Sequence, residues 1–335
     1  MIPSSASPVF VSIAIPAYNY AHYLPAAIDS LLAQTYPHFE VLVIDDGSKD
    51  NTRQVVAEYT DPRVRYVWQE NAGLSAARNT GVREARHDFV GFLDADDVWE
   101  PGLLARVMQQ YAELPAEYGA IATAAHRMAQ DGRLLSGNHF SLGGSGEIQA
   151  RDFCLRNRPM SSSIILRKAV FAQCGGFDTT LRSSEDRDMW LRLTTAGWRF
   201  WFIDEPLARI RRHPFNMSKN AGRMTANRRR ILQKARGSGL VSRWSPFWLK
   251  VFSIHHYQAA WTYFHEASRR RALAHLCCSW LYWPFFLRPS AVSQPALFRL
   301  RALRNFCKWG DPTKDPLVSG IEAPPSPQSG SHRAV

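Results

Sequence analysis

The chain has 335 residues, 45% of them hydrophobic, and a mean hydropathy of −0.28, values typical of a globular protein with one large α/β domain and a smaller appendage. The formal charge of +12 is uneven: residues 205–310 hold 20 Lys and Arg against 2 Asp and Glu, and the rest holds 21 against 27. No stretch reaches the ~18 apolar residues of a membrane span, and five cysteines without paired or metal-ligand spacing exclude a disulfide scaffold. We therefore expect a cytoplasmic protein with free thiols.

Apolar runs alternate with amphipathic stretches along the first two thirds of the chain, which indicates βαβ units and a mostly parallel sheet. The sequence predicts strands at Val11–Ile15, Phe39–Ile44, Val64–Trp68, Phe89–Leu93, Gly119–Ala125, Ser162–Leu166, Trp198–Ile203 and Ala208–Arg212. It predicts helices at residues 22–34, 51–59, 73–85, 101–111, from Lys168, and at Ser184–Thr195. Residues 131–146 are rich in Gly and Ser and are expected to form a loop able to cover a site.

Three acidic clusters follow these strands or begin a helix: Asp45/Asp46, Asp94/Asp96/Asp97 and Glu185/Asp186/Asp188. Strand ends of one parallel sheet converge on a single edge, where α/β proteins bind ligands. Asp94 and Asp96 are two residues apart, and carboxylates that close repel unless a cation or proton lies between them. Mg²⁺ or Mn²⁺, held by one or two carboxylates plus substrate phosphates, satisfies that requirement.

An isolated Asp-x-Asp has a simpler interpretation, in which Asp96 or Asp97 caps a helix that begins near Pro101. The presence of three clusters on one edge favours instead a site with a metal ion, a nucleotide and a catalytic base. For Asp97 alone, helix capping remains the favoured role.

Residues 11–52, 71–82, 88–101 and 183–193 together resemble glycosyltransferase family 2, with the motifs in that family's order. The resemblance covers residues 9–215. It implies an α/β nucleotide-binding fold of the GT-A type with a mostly parallel central sheet. It also implies transfer of a sugar, with inversion of configuration, from a nucleoside-diphosphate donor, most commonly a UDP-sugar. The motifs are specific for this chemistry and poorly specific for the sugars.

Carried over by position, the resemblance implies a donor site formed by Pro16, Tyr18, Asn19, Asp46, Gly73, Arg78 and Asp94. Asp46 would accept a hydrogen bond from the base, although an Asp-Gly turn is the alternative there. Gly73 would place a backbone N–H near the donor. Arg78 is equally well interpreted as a structural partner of Asp94 or Asp46.

For the chemistry, the resemblance implies that Asp96, with Asp94 and His213, holds the divalent ion, and that Asp186, with Glu185 beside it, is the general base. A base removes the proton of the acceptor hydroxyl as its oxygen attacks the anomeric carbon. The alternatives are that the two acids only stabilise the first turn of a helix and that His213 is a structural hydrogen-bonding residue.

Residues 220–310 are predicted to form a basic, aromatic-rich helical region, and residues 311–335 a disordered tail. Residues 276–287 are uncharged but too short to span a bilayer. Two interpretations stay open: the region lies on an anionic membrane surface, or it packs its aromatic residues on the α/β domain. The first would suit a lipid-linked acceptor.

The sequence thus predicts a metal-dependent inverting glycosyltransferase acting on a saccharide or lipid-linked acceptor in cell-surface polysaccharide or glycolipid synthesis. It would be cytoplasmic, or peripheral on the inner face of the cell membrane. No nucleic-acid partner is expected, because the basic region contains no recognised binding module. The alternative is a catalytically silent nucleotide-sugar-binding scaffold, which the intact acids of all three clusters argue against.

Overall fold

The computed structural model describes residues 8–155, 159–213, 216, 220–266, 268–285 and 298–308. The strands are β1 (Val11–Ala17), β2 (Phe39–Asp45), β3 (Val64–Trp68), β4 (Phe89–Phe92), β5 (Val98–Trp99), β6 (Tyr118–Met128), β7 (Leu134–Phe140), β8 (Gly146–Ile148), β9 (Ile164–Arg167) and β10 (Arg199–Arg211). The helices are α1 (Leu24–Leu32), α2 (Thr52–Ala57), α3 (Leu74–Glu84), α4 (Leu103–Glu113), α5 (Ala150–Leu155), α6 (Lys168–Cys174), α7 (Glu185–Thr195), α8 (Ala221–Gly237), α9 (Pro246–His265), α10 (Arg269–Tyr282) and α11 (Phe298–Lys308).

One sheet runs through the molecule in the order β3-β2-β1-β4-β9-β6-β10-β5, with β7 beside β6 and β8 beside β10. Strands β1 to β4 pair in parallel, as do β6 and β10, whereas β9 runs antiparallel between β4 and β6. The α/β class with a mostly parallel sheet is therefore confirmed. The carboxyl ends of β1, β2 and β4 meet at one edge, and this edge carries the acidic clusters.

The two faces of the sheet bury two apolar cores. Helices α1 and α4 cover one face, where they pack against alternate strand residues such as Ile13 and Val43. Helices α3, α6 and α7 cover the other face, against the intervening residues such as Ala14 and Ile44. Helix α3 lies so close to β1 that a Cβ at Gly81 would be 2.5 Å from the Cβ of Ala14. This close approach fixes the helix that carries Arg78.

Three local predictions differ from the structure. Residues 131–146 are a loop only in part, because residues 134–140 form β7, which pairs antiparallel with β6. The two predicted closing strands are one strand, β10, with register shifts between Ile203 and Ala208. The helix after the Asp-x-Asp begins at Leu103 behind the short strand β5, which pairs with β10.

The basic C-terminal region is helical, as predicted, and α8 and the first half of α9 pack into the core of the α/β domain. Ile231, Leu232 and Trp248 are buried in the same cluster as Trp190 of α7. The second half of α9, α10 and α11 form a smaller core of their own around Phe264. Packing on the α/β domain thus accounts for part of the region's aromatic residues.

Within the described ranges, no helix is both long enough and apolar enough to cross a membrane. Cys154, Cys174, Cys277 and Cys278 are free thiols. The predicted disordered tail, residues 311–335, lies outside the described residues.

Candidate active site

The turn after β2 is bonded to the start of α3. Asp46 is 3% exposed and accepts hydrogen bonds from the backbone N–H groups of Ala72 (2.9 Å) and Gly73 (2.8 Å) and from Gln69 Nε2 (2.6 Å). Gly73 has φ +92°, and a Cβ there would lie 2.6 Å from the guanidinium of Arg182, so only glycine fits. Asp46 and Gly73, both predicted to bind the nucleotide, are therefore hydrogen-bonded to each other. Their contact with a donor stays a prediction.

The turn after β1 lies against the turn after β2. Asn19 adopts φ 58°, its backbone N–H donates to Ser48 Oγ (3.1 Å), and its Oδ1 accepts from the Lys49 N–H (2.8 Å). Pro16 is buried at the end of β1, whereas the Tyr18 side chain is 42% exposed. Of these three residues, Tyr18 is exposed to solvent at the sheet edge, and the contact of all three with a nucleobase stays a prediction.

Arg78 joins two of the acidic clusters. Its guanidinium donates to Asp94 Oδ1 (2.7 Å) and to Glu185 Oε1 (2.5 Å), and its side chain is only 2% exposed. Burial alone would lower the pKa of Arg78, but Asp94 and Glu185 raise it above its ordinary value. Of the alternatives left open by the sequence, the structure shows the bond to Asp94 and none to Asp46. Its two terminal nitrogens are bonded to Glu185 and Asp94, whereas its Nε is buried without a hydrogen-bond partner. Arg78 is therefore a positioning residue that fixes the Asp-x-Asp turn relative to the predicted base.

Asp96 and His213 form a second pair. Asp96 Oδ2 lies 2.8 Å from His213 Nε2, and the His213 ring is 1% exposed and lies against the rings of Tyr20 and Tyr23. Asn216 supports the imidazole, with its Oδ1 2.7 Å from the His213 backbone N and its Nδ2 3.1 Å from Nε2. The structure thus brings together two of the three predicted metal ligands.

Asp97 does not cap a helix, so that prediction was wrong. It is 4% exposed and accepts the backbone N–H of Arg211 on β10 (2.8 Å). Burial, followed by the charges of Asp96 and Asp94, raises its pKa well above the usual range. Arg211 also donates its Nε to the Asp96 carbonyl (2.7 Å), so β10 fixes the Asp-x-Asp turn from the other side.

Asp186 is the second residue of α7, which begins after Ser184, a residue with a left-handed φ of 60°. It is partly exposed, and its carboxylate accepts only the N–H of Arg187 (2.6 Å) among the hydrogen bonds of the described residues. Burial and the adjacent Glu185 raise its pKa to about 6, against an opposing effect of Arg78. Glu185, in contrast, is 5% exposed and bonded to Arg78. Of the two predicted catalytic acids, Asp186 is the one free to take a proton.

The donor atoms at this edge fit a hard divalent cation that completes its shell from substrate. Within the described ranges, no group of three or more His, Cys, Asp or Glu side chains is arranged to hold a metal ion by itself. Asp96 and His213 provide a carboxylate and an imidazole, and the Asp94 side chain is 33% exposed beside them. Mg²⁺ and similar ions are commonly bound by one or two carboxylates with waters and substrate phosphates, so this partial set fits.

Sequence reasoning missed two supports of the site. Arg211 and Asn216 contact the Asp96–His213 pair, yet Arg211 reads as an ordinary strand residue. The His-x-x-Asn spacing is the only signal that could have linked Asn216 to His213.

Residues 12–174 match the sequence model described as Glycosyl transferase family 2. The chain is 29% identical over 214 residues to the putative teichuronic acid biosynthesis glycosyltransferase TuaG of Bacillus subtilis, covering 63% of this chain and 82% of that protein. It is 48% identical over 90 residues to UDP-Glc:alpha-D-GlcNAc-diphosphoundecaprenol beta-1,3-glucosyltransferase WfgD of Escherichia coli, covering 27% and 36%. The chain spans 27%, 32% and 66% of the lengths of three further curated relatives, the first of them the chondroitin synthase of Escherichia coli.

Among solved structures, the fold is similar to that of the mannosyltransferase PcManGT from Pyrobaculum calidifontis in complex with GDP-Man and Mn²⁺. The TM-score is 0.59 at 20% identity, covering 92% of this chain and 86% of that one. The UDP complex of TarS from S. aureus gives a TM-score of 0.54 at 17% identity, covering 84% and 93%. At these identities the similarity shows the fold alone, and it bears out the predicted GT-A type.

Proposed function

Residues 12–174 carry the sequence features of glycosyltransferase family 2, and from that premise we propose that the chain is a metal-dependent, inverting glycosyltransferase. It transfers a sugar from a nucleoside-diphosphate donor to a hydroxyl group of its acceptor. The nucleoside diphosphate that we propose is UDP. The observation that carries this proposal is the single edge at which Arg78 joins Asp94 to Glu185, with Asp96–His213 on one side and Asp186 on the other.

Asp186 acts on the acceptor as the general base. As the acceptor oxygen attacks the anomeric carbon, the hydroxyl proton passes to the Asp186 carboxylate. The bond from that carbon to the diphosphate oxygen breaks, and its electron pair leaves with the nucleoside diphosphate. A pKa of about 6 suits this role, because the carboxylate is ionised near neutral pH and still basic enough to accept a proton.

On the donor side, Mg²⁺ or Mn²⁺ would be held by Asp94, Asp96 and His213. When bound, the ion stabilises negative charge on the departing diphosphate. Arg78 cannot do this work in its observed position, because both ends of its guanidinium are bonded to protein carboxylates. It holds Asp94 at a fixed separation from the base instead.

We further propose that the acceptor belongs to cell-surface polysaccharide or glycolipid synthesis and reaches the enzyme at a membrane surface. The names of TuaG and WfgD, which refer to teichuronic acid and a diphosphoundecaprenol-linked sugar, support this class. Exposed apolar residues in the loop before α9, in the last turn of α10 and beyond its end also support it: Trp244 is 80%, Leu281 83% and Phe285 66% exposed. Lys250 and Arg243 lie over the rings of Trp283 and Trp244, so cations accompany this surface.

The test is release of nucleoside diphosphate from a panel of UDP-, GDP- and TDP-sugars, with Mn²⁺, Mg²⁺ or a chelator, followed by NMR of the product linkage. We expect one donor class to be turned over only with metal, and the anomeric configuration to invert. Metal-dependent binding of a donor without turnover, across a panel of saccharide and lipid-diphosphate acceptors, would favour the silent scaffold. Retention of configuration would contradict the role given to Asp186.

A further inference from the structure

A group of buried cationic and imidazole side chains lies beside Asp186, where α7, α8 and α9 meet. Arg187 turns inward, and its Nε donates to the Phe153 carbonyl at 2.6 Å. Arg228 of α8 is 7% exposed, and its Nε is buried with no hydrogen-bond partner. His255 of α9 is 2% exposed, and neither of its ring nitrogens is bonded.

Arg228 is the least compensated of these groups. An arginine side chain carries five N–H donors and keeps its charge in proteins, so burying it without an acceptor is costly. Within the described ranges, its side chain makes neither a hydrogen bond nor an ion pair. Burial and the repulsion of Arg187 lower the pKa of Arg228 to about 9, and Asp186 provides the opposing attraction. Local arrangements that cost stability are typical of functional positions.

Helix α8 places Arg228 at the acceptor side of the site. The side-chain amide of Asn227 lies 3.0 Å from Ser183 Oγ, so the preceding residue of α8 is bonded to the loop that leads into Asp186. Asp186 interacts electrostatically with Arg228, and together with Asp94 and Glu185 it also acts on Arg78. In an inverting attack the base and the acceptor lie on the face opposite the diphosphate, so residues packed around Asp186 are the ones closest to the acceptor.

We propose that Arg228 is the receptor for an anionic group, a phosphate or a carboxylate, that the acceptor carries next to its reacting hydroxyl. This inference rests on the proposed function, since it takes Asp186 as the base, and it adds the chemical class of the acceptor. An anion bound to Arg228 would supply the hydrogen-bond acceptor that the Arg228 Nε lacks. It would also offset the repulsion from Arg187, whose own guanidinium donates to the Phe153 and Cys154 carbonyls. It would also hold the hydroxyl beside Asp186.

The experiment is isothermal titration calorimetry on the full chain with UDP and Mn²⁺ present at saturation, so that the probes cannot enter the donor site. Inorganic phosphate, glucuronate and the neutral methyl glucoside are titrated in separate arms. We expect phosphate or glucuronate to bind and methyl glucoside not to, and the stronger of the two names the anion. In Arg228→Gln that affinity should fall by about tenfold or more, the usual effect of losing a charged hydrogen bond.

Arg230→Gln is the matched control, because Arg230 lies on the same helix and is exposed. It should leave anion binding unchanged, and both variants should keep the wild-type affinity for UDP. Equal anion binding in wild type and Arg228→Gln would overturn the inference, as would a loss of UDP affinity confined to that variant, which would make Arg228 a donor residue. Failure of wild type to bind UDP would count instead against the proposed function.

A stability measurement separates this role from a structural one. Arg228→Met removes an uncompensated buried charge while keeping much of the side-chain volume, so the variant without ligand should melt at the wild-type temperature or above it. A clear drop would show that Arg228 supports the fold and would overturn the inference. If Arg228→Gln does not fold, Arg228→Lys serves in the titration, where it keeps the charge but loses the planar donor pair and should bind the anion more weakly.

Discussion

The donor side and the acceptor side of the site differ in how their charges are compensated. On the donor side, Asp46, Asp94 and Asp96 are bonded to backbone N–H groups, Arg78 and His213. On the acceptor side, Asp186 has a raised pKa and Arg228 has no acceptor. The comparison teaches that the chain itself preorganises the donor side, whereas the acceptor side carries charges that a substrate must complete.

The largest expected effect is on the acceptor side. Asp186→Asn removes the proposed base and should lower kcat by about 10²- to 10⁴-fold, the usual contribution of general-base catalysis. Donor affinity should stay unchanged, because Asp186 makes no bond to the donor-side residues. Steady-state kinetics with a calorimetric Kd for UDP checks both. A variant that loses UDP affinity instead would place Asp186 on the donor side.

The raised pKa of Asp186 also predicts a pH dependence with a definite sign. Activity should fall as the pH drops through about 6, because the base becomes protonated. The stability contribution of this group runs the other way: the folded state binds the proton more tightly than the unfolded chain, so stability falls as the pH rises from about 4 to 6. Denaturant titrations of wild type and Asp186→Asn between these values should show the difference. A wild-type slope that persists in the variant would contradict the assignment.

Arg78 tests whether preorganised donor-side pairs stabilise the fold. Arg78→Met leaves Glu185 as a buried, unpaired carboxylate, and removing one member of a buried ion pair costs about 3–5 kcal/mol. Arg83→Met on the same helix is the control, since the Arg83 side chain is 67% exposed and should contribute below about 1 kcal/mol. Chemical denaturation measures both. If Arg78→Met and Arg83→Met lost similar free energies of unfolding, Arg78 would not have this structural role. Its expected difference from Arg228→Met, which should not lose stability, would then also fail.

The two sides of the site also differ in how far they could be predicted from the sequence. The parallel strands and the acids at their ends were predictable, because apolar runs ending in Asp follow from the geometry of parallel sheets. The strand β3 was predicted with its observed ends, Val64 and Trp68. Local pattern failed at β7, because Gly and Ser predict a loop, whereas pairing with the preceding strand β6 makes this segment a strand.

Acceptor-side residues could not be predicted, because their significance lies in what they do not contact. Arg228 stands in a run of three arginines that reads as a solvated helix face. Only the packing of α8 on α7 buries Arg228 and leaves Arg229 and Arg230 exposed. The role of Arg211 could not be predicted either, because its bonds to the Asp-x-Asp turn depend on the pairing of β10 with β5.

A smaller effect is expected at the predicted metal site. A donor nucleotide at 100 times its Kd should stabilise the wild type by about 2.7 kcal/mol. Asp96→Ala should lose the part of that shift that depends on Mn²⁺. Its unliganded stability should change little, because among the described residues the Asp96 carboxylate is bonded to His213 and Asn216 alone. Thermal melts with UDP, with and without Mn²⁺, measure this, and Asp131→Ala on an exposed turn is the control. A Mn²⁺-dependent shift that survives Asp96→Ala would remove this residue from the metal site.

The smallest effect extends the acceptor side to the proposed membrane surface. Rings of Phe252 and Tyr282 lie 5.7 Å apart, so the start of α9 and the end of α10 adjoin, with Leu281 exposed beside them. If this surface meets anionic lipid, Arg243→Gln should weaken binding to phosphatidylglycerol vesicles by about fivefold, since each basic residue contributes about 1 kcal/mol. Arg83→Gln should have no effect, and neither protein should bind neutral phosphatidylcholine vesicles. Equal flotation of wild type and Arg243→Gln with anionic vesicles would mean that the acceptor is not collected through this surface, and the charges beside Asp186 would then act on an acceptor that arrives from solution.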